Sequence, residues 1–330
     1  MTTPAVSVAM SVYNGERFLA PAIESVLAQT MDQFELLILD DGSKDSSREI
    51  AAGYAARDSR VRLIARENRG LVISLNQLLT EARAPLVARM DADDLCLPER
   101  FEQQLAFLDA NPDHGVLGTR TTDIDEHDHA FPLDTGEHPL TYEAFLHNVE
   151  CGGPLLAHPT VMYRRAVVQA VGGYHQAFRH CEDYDLWLRL ANSTRIANLP
   201  ERLLRYRHYA DQVSSRHALE QQIGVAVSSV AYAERKAGRC DPTEHLTALP
   251  PIDALDALFG RTGIARQVRG QAARALIYSR AEMRGGAFDM LIEHIAEGGA
   301  KLDLWRTVAR LARFGEPRRA LRLAAALAGV

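Results

Sequence analysis

The chain has 330 residues, room for two domains of about 150 residues each. Hydrophobic residues at 47% and charged residues at 24% exclude a disordered, collagen-like or low-complexity chain. A net charge of −6 excludes recruitment of nucleic acid by a global positive field, so none is expected as a partner. The four cysteines, Cys96, Cys151, Cys181 and Cys240, form no C-x-x-C pair, which fits a reduced setting. The first residues run straight into a strand pattern without a basic and then apolar leader, so export by a signal peptide is not expected. No stretch approaches the roughly 20 apolar residues of a membrane span.

Val6–Val12 reads as a first strand. Residues 17–29 follow with Phe18, Leu19, Ile23, Val26 and Leu27 on one helical stripe. Residues 34–39 form a compact buried strand ending at Asp40, Asp41, Gly42 and Ser43, where the glycine permits a turn and Asp45 or Ser46 caps the next helix. Val61–Ala65 is a third strand, 71–82 a third helix, and 85–90 a fourth strand ending at Asp91, Ala92, Asp93 and Asp94. Pro98 suits the first position of a helix over 98–110 that carries Phe101, Leu105 and Leu108 on one face. Residues 120–140 lack periodicity and read as a loop or irregular excursion; 159–163 reads as a strand and 182–191 as a helix. From about residue 216 the pattern turns Ala-rich and helical, with a break at 242–251. Alternating strands and helices predict an α/β fold on a parallel sheet, followed by a separate helical part.

Parallel sheets bind ligands at the carboxyl ends of their strands. Three polar clusters fall there: Ser11 to Asn14, Asp40 with Asp41, and Asp91 to Asp94. Carboxylates gathered in one cleft repel one another unless a cation compensates, and an all-oxygen set without cysteine suits Mg²⁺ or Mn²⁺. Taken alone, an Asp-x-Asp triplet is more often a solvated loop.

The combination is far more specific. Residues 6–14 (VSVAMSVYN), 25–30 (SVLAQT), 34–43 (FELLILDDGS), 91–94 (DADD) and 182–189 (EDYDLWLR) together resemble the family 2 inverting glycosyltransferases, over roughly residues 5–215. The resemblance implies a GT-A type fold, a Rossmann-like mixed or parallel sheet flanked by helices, with an all-α C-terminal extension: a transferase domain over 1–215 and a helical region over 216–330. It also implies an enzyme that moves a sugar from a UDP- or dTDP-linked donor to a hydroxyl of a glycan or lipid-linked acceptor in cell-surface polysaccharide synthesis. Such an enzyme is expected in the cytoplasm, with peripheral contact at the inner face of the membrane.

Carried over by position, the resemblance places Ser11 and Tyr13 on the base and ribose of the donor, and Asp41 on the imide N–H of uracil or thymine. Asp93 then holds the divalent metal, with Asp91 reaching the metal or the ribose; Asp94 serves there or caps the next turn. Asp183 is the general base, beside Glu182 as support, because the attacking hydroxyl must lose a proton. In isolation, Glu182 and Asp183 read as an acid-rich helix start; the base role comes from the constellation. His158 either touches the acceptor or is a buried, satisfied histidine. Arg207 pairs with donor phosphate, and His208 lies one residue before the position, here Tyr209, where related proteins often carry histidine.

Two other functions fit less well. A sugar-1-phosphate nucleotidyltransferase needs a Gly-rich basic loop after the first strand, and a dehydrogenase needs G-x-G-x-x-G there; residues 11–17 are neither. A non-catalytic nucleotide-sugar-binding scaffold is opposed by the intact Asp91, Asp93 and Asp183. The last thirty residues carry seven basic and two acidic side chains, +5 in a chain of −6. Leu304, Trp305, Val308 and Leu311 alternate there with Arg306, Arg310 and Arg313 at helical spacing. That describes either a helix on an anionic membrane or one docked on the catalytic domain or on the partner of a homodimer.

Overall fold

The computed structural model describes residues 3–133, 136–210, 212, 217–301 and 303–329. These divide into two compact units, one of residues 1–175 and 186–210, the other of 176–185 and 211–330. Residues 176–185, placed with the transferase domain on sequence, thus belong to the second unit. Their apolar side chains explain it: Ala177, Phe178 and Cys181 share a buried core with Ala226, Val227, Val230 and Val268.

The first unit opens with β1 (Val6–Val12), α1 (Glu16–Leu27), β2 (Phe34–Asp40), α2 (Ser47–Ala55), β3 (Val61–Ala65), α3 (Leu71–Glu81) and β4 (Leu86–Asp91). β5 (Leu95–Cys96), α4 (Arg100–Ala110), β6 (His114–Ile124), α5 (Tyr142–Cys151), β7 (Met162–Arg164), α6 (Arg165–Ala170) and, after the start of α7 (Glu182–Leu190), β8 (Arg195–Arg207) complete it. The eight strands form one mixed sheet in the order β3-β2-β1-β4-β7-β6-β8-β5. β1, β2, β3 and β4 are parallel, and β7 turns the sheet by pairing antiparallel to both β4 and β6. β1, β2 and β4 are nearly continuous apolar runs because both faces are buried: Val8, Met10, Leu36, Ile38 and Ala88 share one core with Leu19, Ile23 and Phe101, and Ala9, Leu37, Leu39 and Val87 are buried on the other face.

Register decides where the polar strand ends go. Ser11 lies opposite Leu39 on β2 and Asp91 on β4, and Val12 lies opposite Asp40. The three clusters therefore meet along one edge. Gly42 allows the turn after β2, since its φ of +78° favours glycine and a Cβ there would stand 2.5 Å from the Asn68 backbone nitrogen.

Several elements depart from their sequence pattern. Residues 120–124, expected in a loop, are the second half of β6, which runs parallel to the unforeseen β8 with register slips near Arg120. Along that stretch β6 is mostly polar and partly buried, and in β8 arginines flank the buried Leu203 and Leu204, so no apolar period marks the pair; the ladder between them holds them. Residues 158–160 form a 3₁₀ turn and the strand begins at Met162, because Pro159 offers no N–H to a ladder. The helix expected from Pro98 begins at Arg100. Asp45, one of two expected caps, accepts from the Ser47 N–H at 3.0 Å.

Two buried side chains close the sheet's loose carbonyls. Arg100, fully buried, donates to the Arg89 and Val161 carbonyls, and Gln104 donates to those of Leu117 and Thr160 at 2.9 Å each. No carboxylate pairs with Arg100 among the described residues; the Arg89 and Val161 carbonyls and the Gln104 side-chain oxygen accept from its guanidinium.

The second unit is helical: α8 (Ala218–Lys236), α9 (Leu255–Leu258), α10 (Ile264–Ala275), α11 (Gly286–Ala296), α12 (Leu304–Arg313) and α13 (Pro317–Ala328). α12 and α13 form a hairpin in which Leu304 and Leu311 share a core with Leu323 and Leu327. The apolar stripe read on α12 is spent inside this unit, and Trp305, assigned to that stripe, is instead 57% exposed. No helix among the described residues is long and apolar enough to cross a membrane.

Ser7 offers a direct test of the sheet's wiring. Its buried hydroxyl donates to Glu35 at 2.7 Å and accepts from the Ala84 N–H at 3.0 Å. Ser7→Ala leaves that buried N–H without its acceptor, and urea denaturation is expected to show a loss of about 1–3 kcal/mol.

Candidate functional site

β4 ends at Asp91 and turns immediately, and the turn folds Asp93 and Asp94 back beside it. One carboxylate oxygen from each of the three lies within 4.8 Å of the others. Burial, then the charge of Asp91, push the Asp93 carboxyl up to about 6; burial, then Asp93 and Asp91, push Asp94 well above the usual carboxylate range. Asp94 is 1% exposed, and its Oδ2 has no hydrogen-bond partner among the described residues. A crowded, all-oxygen acidic set with an unsatisfied buried carboxylate oxygen fits a hard divalent cation.

Protein cations offset part of this charge. Arg89, two residues earlier on β4, is 4% exposed and pairs with Asp91. Burial alone would lower its pKa, but the charge of Asp91 and its hydrogen bond raise it above the ordinary arginine value. From the far side, the end of β8 grips the turn. The Arg207 N–H donates to Asp94 Oδ1 at 2.8 Å, its Nε to the Asp93 carbonyl at 2.7 Å, and its Nη1 pairs with Asp128 at 2.6 Å. The guanidinium also lies 4.4 Å over the Phe18 ring. With its side chain 2% exposed, Arg207 braces the carboxylate turn in this structure. β5 explains why: Leu95 pairs with Arg205, which draws the β8 end onto the turn.

The neighbouring histidine question has a geometric answer. Tyr209 places its hydroxyl on Asp93 Oδ2 at 2.9 Å, whereas His208 turns to Asp123 at 2.8 Å. Tyr209 thus faces the carboxylates and His208 does not.

Along the same edge, Tyr13, half exposed, lines an open cleft of about 620 Å³ with Gly42, Lys44, Arg48, Arg66 and Asn68. Asp41 lies at the base of this region, 3% exposed, accepting from the Arg69 and Gly70 N–H groups at 2.9 and 2.8 Å and pairing with Arg66 at 2.8 Å. Asp40 is structural: it accepts from the Ser43 N–H and pairs with Arg48 at 2.8 Å. Asn14, in a left-handed conformation, accepts from the Lys44 N–H and ties the loop after β1 to the loop after β2. Ser11 is partly buried at the register position beside Asp91.

His158 is 9% exposed and shares a 3.0 Å hydrogen bond with the Tyr174 hydroxyl. Burial, then the charge of Arg89, hold its pKa well below the ordinary histidine value, so it is the buried, satisfied histidine of the two readings. Glu182 and Asp183 occupy the first turn of α7, in the second unit; Glu182 is 4% exposed and Asp183 partly exposed. The sequence reading missed Arg89, Arg66, Arg48 and the hydroxyl of Tyr209. Arg66 had a usable signal, because it follows the end of β3 on the same sheet edge.

The fold and this site define a GT-A type glycosyltransferase. Residues 7–172 match the family model described as glycosyl transferase family 2, and the chain belongs to that family. It is 37% identical over 220 residues to EpsE of Bacillus subtilis, covering 64% of this chain and 76% of that one. It is 34% identical over 208 residues to the O-antigen biosynthesis glycosyltransferase WbnJ of Escherichia coli, covering 61% and 79%. Among solved structures, S. aureus TarS 1–349 in complex with UDP-GlcNAc superimposes with a TM-score of 0.61 at 17% identity, covering 98% of this chain and 92% of that chain. The mannosyltransferase PcManGT of Pyrobaculum calidifontis, in complex with GDP-Man and Mn²⁺, gives 0.55 at 17% identity, covering 99% and 86%. At that identity the two structures speak for the fold alone.

Arg207→Met removes a buried guanidinium whose partners stay behind. Urea denaturation is expected to show a loss of about 3 kcal/mol, with Arg207→Lys recovering less than half, because one ammonium cannot serve the three directions.

Proposed function

We propose that this enzyme is an inverting glycosyltransferase that uses a UDP- or dTDP-linked sugar and glycosylates a hydroxyl of a glycan or lipid-linked acceptor in cell-surface polysaccharide synthesis. The observation that carries it is the convergence, on one edge of one sheet, of the cleft bearing Tyr13 with the Asp91, Asp93 and Asp94 cluster. Tyr13 stacks on the pyrimidine. Asp41 already accepts from three donors, and a carboxylate offers about four acceptor sites, so one remains for the base imide N–H. Ser11 sits beside the ribose. Asp93 and Asp91 hold Mn²⁺ or Mg²⁺, which when bound offsets charge on the diphosphate leaving group. Asp183 takes the proton of the acceptor hydroxyl as it attacks the anomeric carbon from the face opposite that leaving group, which inverts the centre; Glu182 beside it supports the helix turn. The O-antigen assignment of WbnJ supports the process.

The membrane-linked acceptor has its own support in the second unit. The α12–α13 hairpin exposes Trp305 at 57% and Leu321 at 72%, alongside exposed Arg306, Arg313 and Arg318, a composition suited to an anionic lipid surface. A homodimer using the same face is the competing outcome.

The donor reading is tested by calorimetry with UDP, dTDP and GDP in the presence of Mn²⁺, joined to a transfer assay. UDP or dTDP is expected to bind, and Tyr13→Ala to weaken that binding by about 1–3 kcal/mol, the worth of one base stack. Binding of GDP alone would overturn the donor assignment. Asp183→Asn is expected to keep nucleotide affinity and lose transfer by at least about 10²-fold, the usual worth of a general base; unchanged transfer would remove it from that role. For the membrane contact, cosedimentation with phosphatidylglycerol vesicles is expected for the intact chain at low salt, and Arg306→Glu with Arg313→Glu should abolish it. A concentration-dependent dimer without vesicle binding would overturn that contact.

A further inference from the structure

Acidic clusters at strand ends are ordinarily explained by the ion they await, yet this one carries a cation of its own. Arg89 and Asp91 are two residues apart on β4, so their side chains leave the same face of the sheet. The Arg89 guanidinium is almost wholly buried and pairs with Asp91 Oδ1, and its Nε has no hydrogen-bond partner among the described residues. It is held there by charge more than by a full set of hydrogen bonds, with Asp94 also acting on it. Arg100 next to it is a useful contrast, since its guanidinium is bonded to the carbonyls of Arg89 and Val161 and serves the backbone.

Resting on the metal reading of the carboxylates, we propose that Arg89 is a positioning residue and resident counter-charge: it holds Asp91, offsets the repulsion among the three carboxylates, and sets the intrinsic cation affinity of the site low, so that tight metal binding requires the donor diphosphate. A guanidinium a few ångströms from a divalent ion repels it by more than a tenfold change in affinity even at the dielectric of water. The diphosphate supplies the compensating negative charge, which couples metal and donor binding reciprocally.

The test is calorimetric titration of Mn²⁺ into the full chain and its Arg89→Met and Arg89→Lys variants, each with and without UDP, with circular dichroism as the check on folding. Arg89→Met is expected to bind Mn²⁺ without UDP at least tenfold tighter than the parent, and to show a smaller gain on adding UDP. Arg89→Lys keeps the charge and is expected to stay within about threefold of the parent. Arg89→Gln carries the same expectation as the methionine variant and decides the matter if that variant does not fold. Equal or weaker Mn²⁺ binding by a folded uncharged variant overturns the counter-charge proposal while leaving the metal site intact. Absence of Mn²⁺ binding by every variant and by the parent, even with UDP, overturns the metal reading and this proposal together.

Discussion

Three carboxylates held within 4.8 Å of one another are the constraint around which the first unit is organised. Like charges so close, and so buried, do not stay together unaided. The chain answers with contacts from three directions: Arg89 from within β4, Arg207 and Tyr209 from the end of β8, and Phe18 on α1 as the surface on which both of the latter rest. The mixed sheet follows from that need. A purely parallel sheet would leave the Asp turn open on one side, whereas the β5–β8 pairing returns a distant segment to it.

Much of the fold could be read because the relevant signals are local. The apolar runs of β1, β2 and β4 and the stripe of α1 declare themselves by period, and their polar ends fall at the sheet edge by the geometry of parallel strands. β6 and β8 could not be read so. In their outer halves Thr121, Asp123, Arg202 and Arg205 break up any apolar period, and what makes them strands is a ladder between residues some eighty positions apart. The same long-range pairing decides that Tyr209 faces Asp93 and that Arg207 is a strut, which no inspection of residues 204–209 alone reveals.

The site divides along the same line. That Asp91, Asp93, Asp41 and Tyr13 share one sheet edge was legible from motif and strand-end position. Arg89 was hidden inside a run that reads as an ordinary buried strand, since a single arginine among Val87, Ala88 and Met90 looks like noise until its partner is seen. Residues 176–185 show the reverse case: the motif led to the transferase, while the buried contacts of Phe178 and Cys181 give the segment to the helical unit. α7 begins in one unit and ends in the other, so the candidate base is carried by an element that both units share.

The scarcity of lysine has a practical meaning once the cleft is known. Apart from the terminal amine, the only primary amines are those of Lys44, Lys236 and Lys301, and of these Lys44 lines the cleft beside Tyr13. Lys301 donates to the carbonyls of Ala326 and Leu327 at the end of α13. A chain that entrusts nearly all its positive charge to arginine leaves one lysine at the cleft beside Tyr13, so the extent of acylation at Lys44, read by peptide mass, reports occupancy there without any engineered handle.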